Sequence, residues 1–292
     1  MQTDTIWSNF AGGGVQERYY DAAGIRTRAL EAGEGPPLVL LHGTGGHAET
    51  YNRNIVPLAQ HFHVYAIDMV GHGFTDRPDL DYTFDDYRDH LLAFLDAIGA
   101  DRAHISGESL GGLVAGWTAI HNPERLDRIV CNTGLLVRTN ERGLEQLRDL
   151  AARTHALKDD LSLDVVRRRM EWLVKEPDRM TDELIALRHR IYSQPGMLDT
   201  VGRIMDAILE MSTGSFKGVD YYEAGILRRI QCPTLVLWTS HNPGRSVEVV
   251  RGVIDDIPDA RLEVLDDAGH WPQFEQADEV NRLHIEFLSG PR

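Results

Sequence analysis

Positive charge is scarce in this chain: 30 Lys and Arg stand against 45 Asp and Glu over 292 residues, a formal net charge of −15. So acidic a surface repels phosphate backbones and anionic lipid, which argues against a non-specific nucleic-acid binder or an electrostatically anchored membrane protein. An anionic small molecule would have to be met by a locally placed cation. Cysteine is nearly missing too. Cys131 and Cys232 lie in or beside apolar runs that read as strands, so both are expected as buried thiols and a disulfide framework is not. No apolar run approaches the ~20 residues that a bilayer-spanning helix needs. Residues 1–10 show neither the basic nor the apolar region of an export signal, and a soluble, cytoplasmic protein is the expectation. Repeats and low-complexity tails are also absent. The length suits one large core, or one domain carrying an insertion, better than two unrelated domains.

What is present reads as alternating strands and helices. Residues 15–20 and 25–30 are predicted strands joined by a turn at 21–24. Residues 37–41 are nearly all apolar beyond Pro37, as a strand covered on both faces should be. A short helix is expected over 51–60, strands at 63–68 and 103–106, and helices at 83–98 and 109–120. Leu91, Leu92, Leu95 and Ile98 recur at helical spacing in the first of these, and Gly99 stops it. This β-turn-α repetition predicts an α/β fold whose sheet is mostly parallel. From 135 to 223 the pattern changes to four helical stretches, 140–153, 164–174, 182–193 and 197–210, before strands resume at 234–238 and 261–265. The chain is therefore divided into a first core part (1–134), an inserted helical cap (135–223) and a second core part (224–292), with a last helix at 278–288. An insertion at that point is expected over the active-site mouth, where the loops of α/β folds lie.

The chemistry is concentrated in two loops. Gly107-Glu108-Ser109-Leu110-Gly111 places a serine between two glycines, directly after a predicted strand and directly before a helix, the context in which this motif marks an exposed nucleophile. The glycines permit a sharp turn and close approach of the helix, whose first N–H groups face developing negative charge. Serine needs an adjacent base. His270, one of 13 histidines, follows the last predicted strand and so lies at the same edge of the sheet. Oxyanion donors are expected from the backbone N–H of Leu110 and from Gly43 or Thr44, in a loop kept thin by Gly45 and Gly46. A phosphate-binding loop is not supported there, since no Lys-Ser/Thr pair follows.

On these pieces the chain resembles the α/β-hydrolase superfamily over its whole length. Within it, the chain is most similar to the meta-cleavage product hydrolases, which split carbon–carbon bonds in ring-opened aromatics. The resemblance rests on residues 42–46, 51–55, 107–112, 181–188, 259–271 and 274–288. It implies an eight-stranded sheet with an inserted helical cap, a dienoate substrate, and no metal or organic cofactor. Ser109 and His270 would serve both tautomerisation and cleavage. Arg188 would bind the carboxylate or enolate end, for which a planar guanidinium fork is suited, and Trp271 would wall the pocket. An esterase or lactonase using the same Ser109 and His270 is the alternative, and a binding protein on a decayed frame is a third reading. A homo-oligomer stays open.

The sequence departs from that family in three places. Where the catalytic aspartate belongs, residues 239–242 read Thr-Ser-His-Asn, which puts Asn242 on the acid's position. An amide can fix the imidazole tautomer but cannot stabilise the imidazolium as a carboxylate does. An acid from elsewhere, or His241, could also take that part. Glu108 stands where the family generally has Asn, and as a carboxylate facing the pocket it would repel a dienoate. Thr50 lies at or near a second such Asn.

Overall fold

The structure, a computed structural model, describes residues 5–214 and 216–290. Eight strands, β1 (Gln16–Ala22), β2 (Ile25–Ala32), β3 (Pro37–Leu41), β4 (His63–Ile67), β5 (Ala103–Glu108), β6 (Leu126–Asn132), β7 (Thr234–Thr239) and β8 (Ala260–Leu265), form one sheet. Their order is β1-β2-β4-β3-β5-β6-β7-β8. β1 pairs β2, and β2 pairs β4, antiparallel. The remaining pairs are parallel. The β1–β2 turn is only two residues, Ala23 at φ 53° and Gly24 at φ 87°, the positive-φ pair that matches hairpin twist.

Alternation along the central strands places two cores, one on each face of the sheet. Val39 and Leu41 of β3, with Val236 and Trp238 of β7, face the helices Phe84–Ala97 and Leu110–His121. Leu38 and Leu40, with Leu235 and Leu237, face the last helix, Ala277–Leu288, through Val280, Leu283 and Leu288. This is why β3 and β7 read as continuous apolar runs. Both cysteines are buried and free, and burial pushes the Cys131 thiol up to about 12.

Between β6 and β7 lie four helices, Glu141–His155, Leu163–Glu171, Asp182–Tyr192 and Met197–Thr213. The first three start where Asn140, Ser162 and Thr181 accept a hydrogen bond from the N–H three residues on, which satisfies donors the helix itself leaves unpaired. Their apolar cluster, including Leu157, Val166, Met170, Ile191 and Tyr192, closes on Trp271 and Phe274 of the core. The expected helix at 51–60 is broken into a 3₁₀ turn, Ala48–Tyr51, and a single turn, Ile55–Leu58. Pro57 has no N–H to give, and Glu49 is held by Arg28, whose Nη2 donates to its Oε1 at 2.6 Å.

Candidate active site

The serine loop is built by the absence of side chains around it. Ser109 has φ 53° and ψ −114°, a conformation sterically costly for any residue with a Cβ. A Cβ on Gly107 would lie 2.0 Å from the Gly111 carbonyl carbon, and one on Gly111 would lie 2.2 Å from Leu41 O. Only glycine lets the helix Leu110–His121 start this close to β3 and β5. Leu110 is its first residue, so its N–H has no acceptor within the helix. Gly43 packs opposite, with its Cβ position 3.0 Å from Ser109 Cβ, and Gly43, Thr44, Ser109, Leu110 and His270 line one cavity.

His270 is anchored on both sides. Thr133 Oγ1 donates to its carbonyl at 3.0 Å, and the Gly269 N–H donates to Glu275 Oε2 at 2.7 Å. The ring Nδ1 donates to Asn242 Oδ1 at 2.6 Å. Asn242 is oriented by its own amide, which donates to Arg245 O at 3.2 Å, so its carbonyl oxygen is the atom left for the imidazole. The proton is thereby held on Nδ1, and Nε2 is free to accept one. Burial, then the charges of Arg245 and Arg169, pull His270 down to about 3. His241, the other residue considered for this part, is half-exposed and faces Asp267 at 3.9 Å.

An acid does approach the imidazole, on the other nitrogen. Glu108 Oε1 lies 3.4 Å from His270 Nε2, and the side chain is 1% exposed. Burial pushes its carboxyl up to about 8, against the Gly43 N–H, the charges of Arg188 and Arg169, and the Trp271 indole. Those donors are near without alignment, since neither carboxyl oxygen makes a hydrogen bond. At neutral pH both His270 and Glu108 are uncharged, so their contact is not an ion pair. The expected repulsion of an anionic substrate is removed by the same burial that brings Glu108 into the cavity wall. Among the described residues, Ser109 Oγ makes no hydrogen bond with His270, a contact that commonly tightens only with substrate bound.

Two other expected binding residues are placed differently from Trp271 and Glu108, which line the cavity. Arg188 is not the solvated residue of a helix face: it is wholly buried. It is nonetheless not part of the cavity lining. Its Nη1 donates to Tyr192 Oη at 3.3 Å, and its Cζ lies 5.9 Å from the Trp271 ring. Thr50 is likewise buried, with its hydroxyl unpartnered, and does not line the cavity. Sequence reasoning missed Arg169, Trp172 and Arg245, which do line it. Trp172 meets the His270 ring edge-on, centroids 5.2 Å apart. A signal for Arg169 existed: it falls with Val166 and Met170 on the buried stripe of Leu163–Glu171, the one member of the run 167–169 in phase with the apolar positions.

The alpha/beta hydrolase fold family matches residues 36–277. The chain is 30% identical over 283 residues to the 2-hydroxy-6-oxo-6-(2'-aminophenyl)hexa-2,4-dienoic acid hydrolase of Metapseudomonas resinovorans, covering 94% of this chain and 91% of that protein. It is 30% identical over 274 residues to the 2-hydroxymuconate semialdehyde hydrolase of Pseudomonas sp. strain CF600, covering 92% of each. A solved meta-cleavage product hydrolase from Pseudomonas fluorescens IP01 superposes with a TM-score of 0.76 at 28% identity, over 93% of this chain and 97% of that one.

Proposed function

The chain belongs to the α/β-hydrolase family and is most like its meta-cleavage product hydrolases, and from that footing we propose that it hydrolyses a carbon–carbon bond in a 2-hydroxy-6-oxohexa-2,4-dienoate. The observation that carries this reading is one cavity in which the elbow serine, an imidazole of fixed tautomer and a buried guanidinium meet.

The dienol is first converted to its keto form, which makes a carbon leaving group tolerable. Ser109 or a water then adds to the ketone carbonyl while its proton passes to His270 Nε2. The tetrahedral oxyanion is received by the N–H groups of Leu110 and of Gly43 or Thr44. The carbon–carbon bond breaks with its electron pair delocalised into the dienoate, which takes the proton back. Water supplies the hydroxyl of the acid product, either as the attacking group or by hydrolysing the acyl ester left on Ser109, and the products are a 2-hydroxypenta-2,4-dienoate and a carboxylic acid. Asn242 holds the imidazole in place without a charge to stabilise its protonated form. Trp271 walls the conjugated chain, and Arg188 contributes positive charge from behind that wall. Residues 135–223 serve as a cap over the mouth, and the apolar end of the cavity, with Leu113, Leu147, Leu150 and Ile208, takes the substituent on the 6-oxo carbon.

The test is bleaching of coloured ring-cleavage dienols by the purified protein, beside turnover of simple aryl esters. Loss of colour at rates exceeding ester turnover is the expected result. Ester turnover with no bleaching across a panel of dienols would make the protein an esterase or lactonase instead. Fluorophosphonate labelling that is lost in Ser109→Ala excludes a binding-only role.

A further inference from the structure

Arg245 is a cation on the cavity wall with no anion of its own. It lies in the loop that carries Asn242, and only its backbone is engaged: its carbonyl accepts from Asn242 Nδ2 at 3.2 Å and from Trp238 Nε1 at 3.0 Å. Among the described residues no carboxylate comes within ion-pair distance of its guanidinium. The side chain is partly buried. Its Nε is enclosed and unpartnered, whereas Nη1 and Nη2 are not enclosed. The Tyr222 ring, with its centroid 5.8 Å from Arg245 Cζ, flanks the guanidinium in the same cavity. A partly desolvated guanidinium without a counter-charge is costly, and here its charge also opposes protonation of His270. In a chain with 45 acidic residues against 30 basic ones, an isolated cation at this point marks a place for an anion from outside the chain.

Its neighbours decide which end of a substrate it meets. The loop carrying Arg245 abuts the first helix of the insertion, since a Cβ on Gly143 would fall 2.7 Å from Gly244 O. That helix also gives Gln146, Leu147 and Leu150 to the cavity. Leu147 and Leu150 belong to the apolar end that takes the substituent on the 6-oxo carbon, so Arg245 borders that end.

We propose that Arg245 is a specificity-determining residue whose guanidinium receives a carboxylate carried at the far end of the 6-oxo substituent, so that the preferred dienoate is a dianion. The inference rests on the proposed function in taking the substituent to be that of a dienoate. The body of the substituent packs on the two leucines, and its terminal anion meets the planar fork beside them. Bound there, the anion cancels the cation that opposes the imidazolium and supplies part of the charge that Asn242 lacks. A neutral substituent leaves Arg245 uncompensated. Discrimination therefore enters through kcat as well as KM.

The test compares Arg245→Leu and Arg245→Lys with the unmodified protein on paired dienoates. Their 6-oxo carbon bears a CH2CH2 chain or a para-phenylene ring, each ending in a carboxylate or in a carboxamide. The unmodified protein should prefer the carboxylate in at least one pair by about 10- to 100-fold in kcat/KM, as a charged hydrogen bond gives. Arg245→Leu should lose that preference while its kcat on the carboxamide rises, and Arg245→Lys should keep part of it. A rise on one substrate beside a fall on the other does not come from misfolding. Equal loss on both members of a pair would mean that Arg245 serves the carboxylate they share, or only the loop. No preference in either pair, or one that survives in Arg245→Leu, would overturn the site, and an unchanged kcat on the carboxamide would remove its action through His270. The 4-nitrophenyl monoesters of terephthalate and of its monoamide separate the two readings. Should no dienoate be cleaved, a carboxylate preference among these esters that Arg245→Leu abolishes would keep the site and overturn the carbon–carbon reading alone.

Discussion

Asn242 and an aspartate differ by one group, an amide nitrogen in place of an oxygen, and the structure puts that difference where it matters least for geometry and most for charge. The oxygen that accepts from His270 Nδ1 at 2.6 Å is retained; the negative charge that would stabilise an imidazolium is not. Asn242→Asp is therefore expected to raise kcat about tenfold or more and to move the acid limb of the rate profile to higher pH, measured by steady-state kinetics. The gain is bounded because the second carboxylate oxygen would face the Arg245 carbonyl that now accepts the amide. Glu108 makes the opposite case. With its carboxyl pushed up to about 8, the wall is neutral below that pH and negative above it. KM for a dienoate should accordingly rise as pH passes about 8, and Glu108→Gln should flatten that rise while retaining dienoate binding near pH 7. An unchanged alkaline limb in the variant would mean that Glu108 does not ionise in the site.

The elbow is a separate element with its own energetics. Ser109 at positive φ is strained, and the strain persists in Ser109→Ala because the Cβ remains, whereas Ser109→Gly relieves it. Of these two variants, the glycine form should be more stable by about 1–3 kcal/mol in denaturant unfolding. Equal stabilities would show that the surrounding packing relaxes around the alanine. The strain is imposed by neighbours, since a Cβ on Gly134 would approach Ser109 O to 2.0 Å. The strands, the starts of the long helices and the Gly-x-Ser-x-Gly turn were legible in advance, since each depends on residues adjacent in sequence, whereas the short helices Ile6–Phe10, Val247–Arg251 and Pro272–Glu275 were not foreseen. The segment 51–60 was not, because the turn before it is shaped by Arg28, a residue of β2.

Across the whole molecule, that same Arg28 ties distant segments together. Its Nη1 donates to Asp68 Oδ2 at 3.1 Å and its Nη2 to Glu49 Oε1 at 2.6 Å, all three groups being buried. Asp68 in turn accepts from the N–H of Ala48 at 2.7 Å and of Phe74 at 2.9 Å, which fixes loops at the end of the sheet where the site lies. Arg28→Met should destabilise the protein by roughly 3–5 kcal/mol, because it leaves two buried carboxylates uncompensated; calorimetry or denaturant unfolding measures it. Glu108 also shows in global stability. Its folded-state carboxyl keeps a proton that the unfolded chain releases near 4.5, so its contribution falls as pH rises from about 4.5 to about 8. The fall is about 5 kcal/mol at most. Glu108→Gln removes that slope, and the comparison of unfolding free energies across the interval checks it.

Sequence alone determined the α/β architecture, the run of helices between β6 and β7, and the glycine-flanked turn that carries Ser109, because period-two and period-3.6 patterns and such a turn are properties of neighbouring residues. Tertiary structure decided which nitrogen of His270 Glu108 faces, that Glu108 is neutral at pH 7, and that Arg169 rather than Arg188 stands on the cavity wall. Those are outcomes of burial and of fields summed over groups from β5, the β3 loop and two helices of the insertion, and no single stretch of chain contains them.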